Sequence, residues 1–197
     1  FYWPFTPDQV FNYYNDLTGA TDLPMVVYNI TLAGALGFDQ IKRLTSIPGV
    51  GGIKYTAPTL FEILRIKDEI SRDFKVYSGA DEMAMLGLSF GADGIIGSFY
   101  NMIPEVFIAL NDAVDKGDMK RAKSLQETGN AIIFFSLGYT GTAVIKRCMA
   151  WQGADAGYCR RPFDNFMTEA EEDDLKAAFH KLKQDRNITG VEFLDLI

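Results

Sequence analysis

Histidine is all but missing: His180 stands alone in 197 residues, among Lys181 and Lys183 in a charged helical stretch. That argues against His-based triads and His-ligated metal centres. Cysteine is as scarce. Cys148 falls in a helical pattern and Cys159 in a loop, with no C-x-x-C spacing, so neither a disulfide framework nor a zinc site is indicated, and the usage fits a reducing cytoplasm. Positive charge is in deficit, 19 Lys and Arg against 26 Asp and Glu for a formal net charge of −7. Nucleic acid and anionic membrane are poor partners for such a surface. No run reaches the roughly 18 apolar residues of a membrane span, and no signal-peptide pattern occurs. A cytoplasmic protein is expected.

What is present is core-forming. The chain is 48% hydrophobic and 13% aromatic, enough for one domain or slightly more. Thr6-Pro7-Asp8 opens a helix with a capping hydroxyl, a proline at the first helical position and an acid in the first turn. Val10, Phe11, Tyr14 and Leu17 supply its apolar face, and Gly19 is its expected stop. Short apolar strands are then expected at 25–28, 52–55, 74–77 and 93–97, alternating with helices at 38–47, 59–70 and 81–88. This strand–helix period predicts βαβ units and a parallel sheet covered on both faces. From Pro104 on only helical patterns remain, at 104–115, 118–137, 139–151 and 168–184, interrupted by a Gly/Pro/Arg loop at 152–166. Four βα units fit a small open sheet or half of an eight-fold barrel, and periodicity does not decide between them. The opening Phe1-Tyr2-Trp3-Pro4-Phe5 reads as the end of a strand running into a loop, so a fragment of a longer protein is expected.

In a parallel barrel the chemistry gathers at the carboxyl ends of the strands. Those ends read Tyr28-Asn29, Lys54-Tyr55-Thr56, Gly79-Ala80-Asp81-Glu82 and Gly97-Ser98. A lysine is costly to bury unless paired or used, and a desolvated amine attacks carbonyl carbon to form a Schiff base. Tyr28 would set a proton-transferring phenol beside it. On spacing alone, a lysine snorkelling at a strand end beside a core tyrosine is an equally good reading. Asp81-Glu82 sits at a helix start, where acids are favoured anyway, and capping is the better reading of that pair by itself. The segment Gly91-Ala92-Asp93-Gly94 through Ser98 lacks the lysine and spacing of a phosphate loop, and its glycines suggest close backbone approach to a ligand. Arg160-Arg161 offers a small basic spot, better read as a solvated or salt-bridged loop, and Met83 and Met85 read as core.

The segments Pro24-Met25-Val26-Val27-Tyr28-Asn29-Ile30, Gly52-Ile53-Lys54-Tyr55-Thr56, Gly79-Ala80-Asp81-Glu82, Gly97-Ser98-Phe99-Tyr100-Asn101 and Cys159-Arg160-Arg161-Pro162-Phe163, with the opening five residues, resemble the N-acetylneuraminate lyase and dihydrodipicolinate synthase family of pyruvate-dependent class I aldolases. The resemblance runs over nearly the whole chain and is nearest the sugar-acid branch. It implies the second half of a (β/α)8 TIM barrel over 1–115 and a C-terminal helical bundle over 116–197. It implies Lys54 as the Schiff-base lysine, Tyr28 as proton shuttle, and Tyr2 as a tyrosine offered to a neighbouring subunit of a homotetramer. Thr56, Gly79, Asp81, Glu82, Gly97 and Ser98 match positions that hold the sugar's hydroxyl chain. The implied ligands are sialic acid, pyruvate and N-acetylmannosamine, with no cofactor beyond the imine on Lys54 and no metal.

Thr31 stands where the family has proline, in an apparently shortened loop. The stretch Thr31–Leu36 also lacks the arginine that dihydrodipicolinate synthases use there. The family's Gly-Ser-Thr-Gly-Glu-type segment for the pyruvate carboxylate has no substitute, so weak or no turnover is expected of this chain alone. Another aldolase or dehydratase of the same family, or a non-catalytic half-barrel module, are the alternative readings.

Overall fold

The computed structural model describes residues 3–166 and 168–197, and the chain forms two compact units, Phe1–Ile96 and Gly97–Ile197. The first alternates helix and strand: α1 (Pro7–Gly19), β1 (Met25–Ile30), α2 (Phe38–Leu44), β2 (Val50–Thr56), α3 (Phe61–Glu69), β3 (Lys75–Ser78), α4 (Ala84–Ser89) and β4 (Gly94–Ile95). All strand pairs are parallel, in the order β1-β2-β3-β4. The α1 start is built as its sequence dictates: the Gln9 N–H donates to the Thr6 hydroxyl (3.3 Å) and the Gln9 side chain accepts the Thr6 N–H (2.9 Å). Such a reciprocal cap is worth about 1 kcal/mol.

Strand order that follows chain order, with right-handed crossovers, puts every helix on one side of the sheet. The core bears this out. Val27, Ile53, Tyr55 and Val76 from alternate strand positions pack with Phe38, Ile41 and Leu44 of α2 and Ile63 and Ile66 of α3, and α4 presses Gly87 against the Ser78 side chain on the same face. This single winding is that of a barrel rather than of a doubly wound sheet.

Several expectations need correction. Only one sheet face is covered: Val26, Tyr28 and Ile96, on the other, are each at least 41% exposed, because the helices have all been laid on the first. The fourth strand pairs over Gly94–Ile95 alone. Leu17 is exposed and Thr18 is buried in its place, since the inward stripe of α1 runs through 10, 14 and 18. The Thr18 hydroxyl is satisfied within the helix by the carbonyls of Tyr14 (3.0 Å) and Asn15 (3.1 Å). Gly91, with φ +88°, ends α4 as a left-handed turn residue, and Asp93 serves structure. Its carboxylate accepts from Lys67, from Lys75 (3.1 Å) and from the Val76 N–H (2.8 Å), tying β4 to the start of β3. Burial alone would raise this carboxyl, but those hydrogen bonds outweigh it and hold it below the usual carboxylate range.

The second unit is helical: α5 (Pro104–Asp115), α6 (Met119–Leu137), α7 (Gly141–Trp151), α8 (Glu169–Arg186) and α9 (Glu192–Leu196). Its centre is Phe179, with Phe135 and Phe193 at ring distances of 4.7 and 5.0 Å. The residues after α8 form the short helix α9, with Val191, Phe193 and Leu194 buried. The Glu192 N–H then donates to Glu105 (2.9 Å) and Lys183 to the Leu194 carbonyl (2.8 Å). Arg147, 6% exposed, donates to Gly157 O (2.7 Å), Glu172 (3.2 Å) and Asp155 (3.3 Å) and lies over the Tyr158 ring. The loop after α7 is therefore pinned to both α7 and α8. His180 is exposed, as its neighbours suggested. Among the described residues no single helix is long and apolar enough to cross a membrane.

A Cβ on Gly87 would lie 2.1 Å from Ser78 Oγ, so Gly87→Ala should lower stability by about 1–3 kcal/mol in urea titration. Ser78→Gly in the same chain should recover most of it, and no recovery would mean that another contact sets the α4 position. For Asp93, the depressed folded value means its stabilisation is present above about pH 4 and is lost as pH falls through that folded value. Asp93→Asn should therefore flatten the acid limb of the urea-midpoint profile, whereas an unchanged limb would show that the Lys67 pairing contributes nothing.

Candidate active site

Strand parity builds the site. Across a parallel sheet, residues in register leave from the same face, and Tyr28, Lys54, Tyr77 and Gly94 form one register line over all four strands. One pleat further on, Ile30 and Thr56 are in register, and β3 leads out to Gly79. Tyr28, Lys54, Thr56 and Gly79 thus share the uncovered face, near the carboxyl ends of their strands.

The contacts are close. Lys54 Nζ lies over the Tyr28 ring, 4.5 Å from its centroid, a cation–π contact of about 0.5–1 kcal/mol at a partly exposed site. Gly79 is what allows the lysine to lie where it does. A Cβ built there would come within 1.9 Å of Thr56 Oγ1 and 2.8 Å of Lys54 Cε, so the missing side chain is the space those two occupy. The Gly79 N–H is fixed by Tyr55 O at 2.8 Å. Thr56 Oγ1 is buried without a hydrogen-bond partner. A native protein leaves such groups unpaired rarely.

Directly beyond Gly79, Asp81 and Glu82 open the one-turn helix Asp81–Met83, with Asp81 buried at 7% exposure and Glu82 exposed. The cap positions of this turn and of α4 are Ala80 and Met83, neither with a side-chain cap. Gly97 and Ser98 belong to the second unit, where the Asn101 side chain donates to Ser98 O (3.0 Å). Tyr2 lies outside the described residues. Cys159 and Asn165 hold each other through the Cys159 backbone (2.7 and 3.0 Å), with Arg160 and Arg161 exposed. Among the described residues no three His, Cys, Asp or Glu side chains gather to hold a cation.

Asn29, one of the polar strand-end residues, has a structural role that sequence reasoning did not assign. It is 1% exposed, and its Oδ1 accepts the Leu36 N–H at 2.8 Å. This closes the loop beside Tyr28, in which Thr31–Ala33 form one helical turn ended by Gly34 at φ +78°. A polar residue at a buried strand position, next to a loop that needs a tether, was the available signal.

Comparison with known proteins gives a consistent result. The model of the dihydrodipicolinate synthetase family matches residues 1–183. The chain is 34% identical over 179 residues to an N-acetylneuraminate lyase of Rhizobium meliloti, covering 90% of this chain and 58% of that protein. It is 35% identical over 190 residues to an N-acetylneuraminate lyase of Escherichia coli, covering 94% and 63%. Among solved structures, an N-acetylneuraminate lyase from Mycoplasma synoviae superposes with a TM-score of 0.81 at 28% identity, over 93% of this chain and 61% of that one. The chain spans about three-fifths of the length of these relatives.

The notch at Gly79 is directly testable. Gly79→Ala should cost about 1–3 kcal/mol by overpacking. Thr56→Ala should restore only part of it, because the oxygen at 1.9 Å goes while Lys54 Cε at 2.8 Å stays. Full restoration would show that the lysine stem moves aside freely.

Proposed function

The chain belongs to the dihydrodipicolinate synthetase family, and from that premise we propose that Lys54 is the Schiff-base lysine of an aldolase that cleaves N-acetylneuraminate reversibly to pyruvate and N-acetylmannosamine. In this reading the four strands are four consecutive βα units of a (β/α)8 barrel. Pro104–Asp115 is the barrel's last helix, and the helices after it are the C-terminal bundle. Cytoplasmic location and homotetrameric assembly belong to the same reading.

The observation that carries it is Lys54 held between Tyr28 and the Gly79 notch, with an unpartnered threonine hydroxyl alongside. The amine adds to the keto carbon of the substrate and water leaves, giving a protonated imine. The aldol bond then breaks with its electron pair flowing into that imine, so no metal is asked for, and the departing hydroxyl gives its proton to a base. Tyr28 is the phenol placed to relay it. Protonation of the enamine and hydrolysis release pyruvate and the free lysine. Asp81, Glu82, Thr56, Gly97 and Ser98 suit the sugar's hydroxyls, carboxylates being strong acceptors for such donors.

Borohydride trapping with pyruvate followed by peptide mass mapping tests this. An adduct on Lys54, abolished in Lys54→Ala, is expected in a protein that carries the whole barrel, and an adduct there on another lysine or on none would overturn it. With a panel of 2-keto sugar acids, Asp81→Ala and Glu82→Ala should raise KM about tenfold for polyhydroxylated substrates, the equivalent of one lost charged hydrogen bond, and leave pyruvate half-saturation unchanged. Preference for a different sugar acid would move the assignment to a sibling aldolase.

A further inference from the structure

We propose that Gln152 is a positioning residue for the segment that carries Gly97 and Ser98. From 50 residues along the chain its side-chain amide holds the Met102 carbonyl, and with it the turn that follows Ser98. The inference deepens the aldolase reading, which is what gives Gly97 and Ser98 to the sugar's hydroxyls, and rests on it for its effect on substrate.

Gly97 and Ser98 lead into a single helical turn, Phe99–Asn101. The turn closes on itself. Asn101 donates to the Ser98 carbonyl from its backbone N–H (3.3 Å) and from its side chain (3.0 Å). The Met102 and Ile103 N–H groups donate to the Phe99 carbonyl (2.9 and 3.1 Å). One isolated turn is not stable by itself, and β4, which ends at Ile95, gives it no ladder to lean on. Its place is therefore set by what it touches in the second unit. Tyr100 lies against Phe107 of α5, with ring centroids 4.4 Å apart. A Cβ on Gly141, at the start of α7, would sit 3.8 Å from Phe99 Cζ. Apolar contacts of this kind tolerate sliding.

The end of the turn is fixed differently. Ile103, at φ −135° and ψ 55°, leaves helical geometry before α5 begins at Pro104, so the Met102 carbonyl falls between two helices. Met102 is fully buried, and a buried carbonyl needs a donor from within the protein. Gln152 supplies it: Nε2 donates to Met102 O at 3.0 Å and to Cys148 O at 3.0 Å. Gln152 caps the C-terminal end of α7, where its backbone N–H also meets the carbonyls of Cys148 (3.2 Å) and Met149 (3.1 Å). The amide is thus locked to a regular helix and reaches from it to an irregular segment. A hydrogen bond weakens steeply off its line, so this one sets where the turn stops along α7. Without the donor the carbonyl must swing toward water, and Ser98, at the other end of the same closed turn, moves with it.

The test uses a protein that carries the whole barrel, with Gln152→Met, which keeps the length and loses the donor, and Gln152→Lys, which puts donors back. Gln152→Leu stands in if the methionine variant does not fold. Gln152→Met should raise KM for N-acetylneuraminate about fivefold, with kcat changed less than about twofold. Half-saturation by pyruvate in borohydride trapping should stay put, because pyruvate has no hydroxyl chain for Gly97 and Ser98 to hold. Gln152→Lys should recover most of the loss. An unmoved KM in Gln152→Met, or a lysine variant no better than the methionine one, would overturn the proposal. Hydrogen exchange separates this from failure of the aldolase reading, because it needs no substrate. The amides of Asn101, Met102 and Ile103 should exchange severalfold faster in Gln152→Met and recover in Gln152→Lys. Faster exchange in a protein that turns over no sialic acid supports the clamp and counts against the aldolase reading instead, and unchanged exchange refutes the clamp.

Discussion

The parity of three short strands governs the first unit. Because successive residues of a strand face opposite ways, β2 can bury Ile53 and Tyr55 under the helices while it sends Lys54 and Thr56 to the opposite side. A one-residue slip of β2 would exchange the two sets, placing a lysine in the apolar layer and an isoleucine at the site. The apolar packing of α2 and α3 against Val27, Ile53 and Val76 therefore sets the register, and the register sets which side chains meet. Core and site are two faces of one constraint.

The two ends of the sheet divide the labour. At the amino end, Asp93 gathers Lys67, Lys75 and a backbone N–H, a closed arrangement in which each charge is answered. At the carboxyl end, charge and polarity are less fully answered. Lys54 meets a ring face rather than a carboxylate, and a threonine hydroxyl stays buried and unpaired. Groups that a fold leaves unsatisfied at one rim, while satisfying those at the other, are groups available to a ligand. The glycines mark the same division: Gly79 makes room for Lys54 and Thr56, and Gly87, on the helix side, makes room for a helix.

The second unit solves a packing problem of a different kind. Its helices converge on Phe179, and a buried guanidinium, Arg147, holds the long loop after α7 through a carboxylate on α8, a carboxylate and a carbonyl of the loop, and the face of Tyr158. A buried cation is tolerated only when surrounded in this way. The arrangement also makes that loop part of the helical layer.

The alternation of strand and helix, the parallel sheet, the Thr6 cap and the candidate residues at the strand ends were all legible in the chain, because local propensity and two periodicities carry them. Lys54 stood out because a lysine ending an apolar strand breaks the local rule. Three things required the tertiary structure. That one sheet face is covered and the other open depends on the winding of successive crossovers, which no single segment encodes. That Gly79 is a notch for Lys54 and Thr56, and Gly87 one for Ser78, depends on which neighbours approach, and a glycine looks the same in sequence whether it turns the chain or admits an atom. Asn29 acquires its role only from a partner, Leu36 across a loop, which no local pattern names.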